Sequence, residues 1–275
     1  MMPAPKLFAQ ACRVLIKNWK LFTGLLLIFT VIDFLAIGGL NAGDFQTMRE
    51  NISDIFTGQF SQITGGLALF TYLLTSPNAN GGAGSSYQAI LLLVVSLALI
   101  WALRQTYSKN KVRIRDTFYL GMYPLVPFVL VLLVIGLQLI PFLVGSFLYN
   151  VLVGSGIAAL GVEKLVCGVI FALLAILSLY MLISSIFALY IVTLPDMTPM
   201  KALRSARELV RFRRLKLFRK LLFLPFALIT IAAVIMVPII MLLTPVAVVF
   251  FFVLTIVGLA IVHSYMYGLY RELIA

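Results

Sequence analysis

Apolar residues in this chain arrive in long unbroken blocks, and polar residues collect in the gaps between them. Six blocks approach or exceed the roughly 20 residues that a helix needs to cross a bilayer core of about 30 Å. They predict spans at about 21–40, 88–106, 122–146, 165–193, 221–243 and 246–268. The first, LFTGLLLIFTVIDFLAIGGL, is longer than the apolar core of a secretory signal and reads as a retained span. The third carries Pro124, Pro127 and Pro141, which membranes tolerate where neighbouring helices satisfy the freed carbonyls. Residues 147–164, with Gly154, Gly156 and Gly161, read as a short connection, and Thr244-Pro245 as a tight turn.

Two of the polar gaps have a helical period. In residues 4–20, APKLFAQACRVLIKNWK, apolar and basic positions segregate, and Trp19 is an interface-preferring residue. In residues 198–220, Lys201, Arg204, Arg207, Arg211 and Arg214 fall along one side of a helix. Pro199, Ala202, Leu203, Ala206, Leu209 and Val210 fall along the other. Thr198 suits the N-cap and Pro199 the first helical position, where a missing N–H costs nothing. Such a helix is expected to lie flat at a membrane surface, with its charges among anionic headgroups. Residues 41–87 form the longest polar excursion. Met48, Ile52, Ile55, Phe56 and Ile63 there predict an amphipathic helix, residues 66–75 are too short to span, and 76–86 read as a loop.

Composition agrees with the blocks: hydrophobic residues make up 63% and charged residues 11%, against roughly 45–50% and 25% in soluble domains. The spans leave no room for a separate soluble catalytic domain. Cys12 and Cys167 are too few for a disulfide framework. The net charge of +12 is placed topologically, with 19 of the 21 Lys and Arg in four segments: the N-terminus, residues 104–115, residues 201–220 and the C-terminus. Only Arg49 and Lys164 lie elsewhere, facing four acids in the same outer segments. That asymmetry sets the basic gaps and both ends of the chain on the cytoplasmic side. A basic segment leads into an apolar hairpin three times. RVLIKNWKLF (13–22) and ELVRFRRLKLF (208–218) share a Lys-Leu-Phe ending, with KVRIRDTFYLGMYPLVPF (111–128) a looser copy. The expected fold is therefore all-α: six transmembrane helices as three hairpins, with basic amphipathic interfacial helices at about 4–20 and 198–220.

Within that layout, PDMTPMKALRSARELVR (195–211) resembles a segment of the glycerophosphoryl diester phosphodiesterase membrane-domain family of six-span bacterial proteins. The family pattern is a proline ending the fourth span, a polar link, then Ala-Leu-x-x-Ser-x-x-x-Leu on a basic helix. Pro195, Ala202, Leu203, Ser205 and Leu209 stand in those roles, Ser205 one place early. Arg113, Asp116 and Phe118 make a fainter version before the third span. The resemblance implies a bacterial cytoplasmic membrane and a lipid-adjacent setting. It does not imply phosphodiesterase activity, because nothing here matches the soluble barrel, with its carboxylates and histidines, that carries hydrolysis in the fused members.

Candidate chemistry is sparse. Asp33 lies within the first span, where a carboxylate costs roughly 2.5–3.5 kcal/mol and normally faces the bundle interior or water. It reads either as a proton or cation relay or as a hydrogen-bonded packing residue. His263, the single histidine, lies near Tyr265, Tyr267 and Tyr270, an aromatic belt by position, and at a different depth from Asp33. One histidine with no CxxC or HExxH predicts no metal site, no catalytic nucleophile has a base to activate it, and no cofactor is expected. The basic row is either topological or a platform for anionic lipid headgroups or a membrane-protein partner. Aromatic interleaving limited to Phe212 and Phe218 argues against nucleic acid. The expectation is a non-enzymatic envelope membrane protein that engages anionic lipid or scaffolds a membrane partner. A small transporter or channel using Asp33 is the alternative, ahead of an intramembrane lipid-processing enzyme.

Overall fold

The computed structural model describes residues 2–37, 83–108, 113–155, 161–242 and 244–274, and every regular element among them is helical. The expected outer segment at 41–87 lies almost wholly outside the described residues. Eleven helices follow in order: α1 (Ala4–Lys17), α2 (Trp19–Ile37), α3 (Ala83–Tyr107), α4 (Ile114–Gly121), α5 (Leu125–Gln138), α6 (Ile140–Gly154), α7 (Gly161–Ser185), α8 (Ala188–Ile191), α9 (Pro199–Val210), α10 (Arg214–Leu242) and α11 (Thr244–Ile274). Five stretches are long and apolar enough to cross a membrane: Ala89–Tyr107, Leu125–Gly154, Gly161–Ile191, Arg214–Leu242 and Val249–Ile274. A sixth is reached if α1 and α2, bent by 84° at their junction, count as one. The chain is a multi-pass membrane protein.

The boundaries differ from the expectation in several places: helix begins at Ala83 inside the expected 76–86 loop, at Gly161 inside the expected 147–164 connection, and at Thr244, so that Thr244 and Pro245 open α11 instead of forming a turn. The third span does not stop at 146 but continues as α6 to Gly154, after a break at Leu139. Residues 147–153 are apolar enough to stay helical, so Gly154 ends a helix instead of sitting in a loop. The basic segment is not one helix over 198–220. It ends at Val210, turns through residues 211–213, and restarts at Arg214 as the first turn of α10. Likewise α1 ends at Lys17, where Asn18 donates its side-chain amide to the Val14 carbonyl at 3.1 Å, and Trp19 and Lys20 belong to α2.

The chain divides into two compact units. The first comprises Met1–Met122 and Lys220–Leu269. Its centre is α3, whose Val95, Leu97, Ala98, Leu99, Ile100, Ala102 and Leu103 are buried. The short helix α4 packs on α3 at Gly121, where an added Cβ would lie 3.3 Å from the Ala98 Cα, tight enough that a side chain there would push the two helices apart by a few tenths of an ångström. Near the end of α10 and the start of α11, Met236, Ile240 and Ala247 form a buried apolar cluster.

The second unit comprises Tyr123–Arg219 and Tyr270–Ala275. Here the broken helix α5–α6 runs antiparallel along α7. Gln138 meets Ser178, Gly145 meets Leu174 and Phe171, and Tyr149 packs on Phe171 with ring centroids 5.9 Å apart. Most of α7 up to Tyr180 presents large apolar side chains outward, as a lipid-facing helix does, whereas Ile183 through Ile191 is mostly enclosed by protein.

Candidate functional site

The basic segment is positioned by α9. Thr198 is the N-cap in extended conformation and Pro199 opens the helix, as the sequence predicts; the cap bond comes from the backbone, Ala202 N–H donating to the Thr198 carbonyl at 3.0 Å. Upstream, Asp196 has φ 59°, the left-handed region that short polar side chains tolerate, and this turns the chain from α8 into α9. The apolar face of α9 is not free for lipid. Ala202, Ala206 and Val210 are fully buried where the helix packs on α5, α7 and α8. Alanines at i and i+4 permit that close approach between helices. Lys201, Arg204 and Arg207 are left exposed on the opposite face, with Glu208 beside them.

The row then reaches a corner. Arg211 and Arg213 are exposed in the turn, and Phe212, 89% exposed, projects there with the Arg211 guanidinium 5.4 Å from its ring centroid. Leu215 is likewise exposed on the first turn of α10. Arg214 behaves differently from the other four candidate cations. It turns back onto α7, its guanidinium carbon 4.1 Å from the centroid of the Tyr180 ring, and its Nε is shut off from solvent with no hydrogen-bond partner among the described residues. The single row expected from the helical period is thus four outward charges and one stacked charge.

Asp33 lies on α2, and its side chain falls outside the described ones. His263 is half-buried, with Nδ1 2.9 Å from the Leu259 carbonyl. Its tyrosine neighbours are not a headgroup belt: Tyr265, Tyr267 and Tyr270 are all buried. Tyr265 donates its hydroxyl to the Lys220 carbonyl at 3.0 Å, Tyr267 packs on Tyr107, and Tyr270 stacks on Tyr190. Tyrosines two and three residues apart on a helix face several directions, and here those directions meet protein. Both cysteines are free, and no three His, Cys, Asp or Glu among the described residues are grouped to hold a metal.

A polar pair that sequence reasoning passed over sits at the α5–α6 break. Ser178 donates to the Gln138 backbone carbonyl at 2.9 Å, and the Gln138 side chain, only 9% exposed, has an Oε1 without a hydrogen-bond partner among the described residues. Pro141 has no N–H for the Leu137 carbonyl, near the middle of a 30-residue span, and that carbonyl is met instead by the Leu139 N–H at the break. A glutamine just ahead of a proline inside an apolar run was the available signal.

Comparison with protein-family models, with curated proteins and with solved structures finds no match to this chain. The kinship suggested by residues 195–211 therefore stands as a resemblance.

Proposed function

We propose that this is a non-enzymatic integral membrane protein of the bacterial cytoplasmic membrane. Its basic helices, on the cytoplasmic side, engage anionic lipid or dock a membrane-protein partner. One observation carries the reading: α9 spends its apolar face on the protein and presents Lys201, Arg204 and Arg207 outward, continued by Arg211. A cationic row held rigidly by a membrane bundle loses little conformational freedom on meeting a negatively charged surface, and each charge near such a surface contributes roughly 1 kcal/mol.

The test uses the full chain in nanodiscs of mixed phosphatidylglycerol and phosphatidylcholine. Replacing Lys201, Arg204, Arg207 and Arg211 together by Gln should reduce enrichment of the anionic lipid around the protein, read by spin-labelled lipid at low salt. Unchanged enrichment would sink this reading.

A second reading, a small transporter or channel, now draws on the buried Gln138 beside the α5–α6 break. It requires flux in proteoliposomes that Gln138→Leu or Asp33→Asn abolishes.

A further inference from the structure

The four outward cations suit diffuse attraction to a charged surface, but Arg214 has a defined stereochemistry. Its guanidinium carbon lies 4.1 Å from the centroid of the Tyr180 ring, which is itself exposed on α7, so the ring face holds one side of the cation. The inner edge is desolvated and its Nε is unsatisfied among the described residues, while the residue as a whole stays only half-buried. No carboxylate pairs with it among the described residues. A desolvated cation of this kind gains far more from a counter-anion than a hydrated one does.

The surroundings identify the anion. Tyr180 belongs to the part of α7 whose Leu173, Ile176, Leu177 and Leu179 face outward as a lipid-contacting surface. The stretch Gly161–Ile191 has 31 residues, about 46 Å of helix, and so exceeds the bilayer core by about 16 Å. Its protein-enclosed part, Ile183–Ile191, is where that surplus belongs. Tyr180 lies 11 residues before Ile191, also about 16 Å, which puts the stacked guanidinium at the boundary between acyl chains and headgroups. The anions concentrated at that depth are lipid phosphates, and a planar guanidinium matches two phosphate oxygens.

Resting on the lipid-engaging reading above, we infer that Arg214 and Tyr180 form a discrete site for the phosphoryl group of one membrane phospholipid, separate from the diffuse row. Phosphate oxygens meet the outward edge of the guanidinium, and the exposed Phe212 and Leu215 next to it in sequence lie among the acyl chains.

Native mass spectrometry of the full chain released from phosphatidylglycerol nanodiscs tests this. One lipid per chain should survive activation that strips the others. Arg214→Gln should lower its occupancy by about tenfold or more, as expected for loss of a charge-assisted hydrogen bond in a desolvated place. Tyr180→Leu should lower it severalfold and Tyr180→Phe should not, because the ring supports the cation and the hydroxyl does not. Both positions are partly open, so these variants are expected to remain folded, with monodisperse elution as the check. The fourfold Gln variant of Lys201, Arg204, Arg207 and Arg211 should keep the retained lipid while losing the looser ones. If Arg214→Gln keeps the lipid, or matches any single Gln change in the row, the site is refuted and the surface reading survives. If the fourfold variant loses nothing while Arg214→Gln strips the lipid, the surface reading falls and the site stands. Displacement of the lipid by millimolar inorganic phosphate would overturn the lipid as the source of the phosphoryl group.

Discussion

Helices α1 and α9 start from the same kind of sequence and end with differently fastened structures. Each is a short helix ahead of a long apolar one, and each buries an i, i+4 pair against protein: Leu7 with Ala11, and Ala202 with Ala206. In the first unit α1 is tied by a directed bond and by rings. Ser264 donates to the Ala11 carbonyl at 3.1 Å, and Phe8 packs between Phe223 and Tyr265. In the second unit α9 is seated by close packing, with Ala202, Ala206 and Val210 set against α5, α7 and α8. An apolar stripe therefore does not by itself specify lipid. Both stripes here are taken up by protein, the bulky Leu7 and Phe8 of α1 as well as the alanines of α9.

The contrast can be broken in order of expected effect. Ala206→Leu inserts three carbons where nothing is exposed, and overpacking of this kind costs about 1–3 kcal/mol. It should lower the melting temperature of the purified protein by several degrees; an unchanged melt would mean that α9 is only loosely seated. Ser264→Ala removes one buried donor and should cost about 1 kcal/mol, with hydrogen exchange rising in α1 and not in α9. Equal rises in both helices would erase the distinction between the two fastenings. Smallest, Arg204→Gln with Arg207→Gln should leave the melt within about 0.5 kcal/mol, since both side chains are exposed. A larger loss would assign those charges a structural duty that the geometry does not show.

The spans were legible because their apolar runs exceed anything a soluble helix of that length needs, and the basic gaps were legible by contrast. The two interruptions were not. At residues 211–213 apolar positions continue through Val210, Leu217 and Leu224, all buried, so the pattern gives no sign that the chain turns between them. At Leu139 the proline marks strain, but tolerated prolines occur within α10 as well, at Pro225 and Pro238, without a break. The stacking of Arg214 on Tyr180 was invisible for another reason: the two residues are 34 positions apart and neither belongs to a motif. What could have been read is the alanine content of the α9 face, which already favoured protein over lipid.

The bond between Ser264 and Ala11 joins the earliest described helix to the last described one. During synthesis α1 leaves the ribosome with Leu7 and Ala11 uncovered, and it stays so until more than two hundred further residues have been inserted. A chain cut before α11 would thus leave Leu7 and Ala11 without the side chains that cover them.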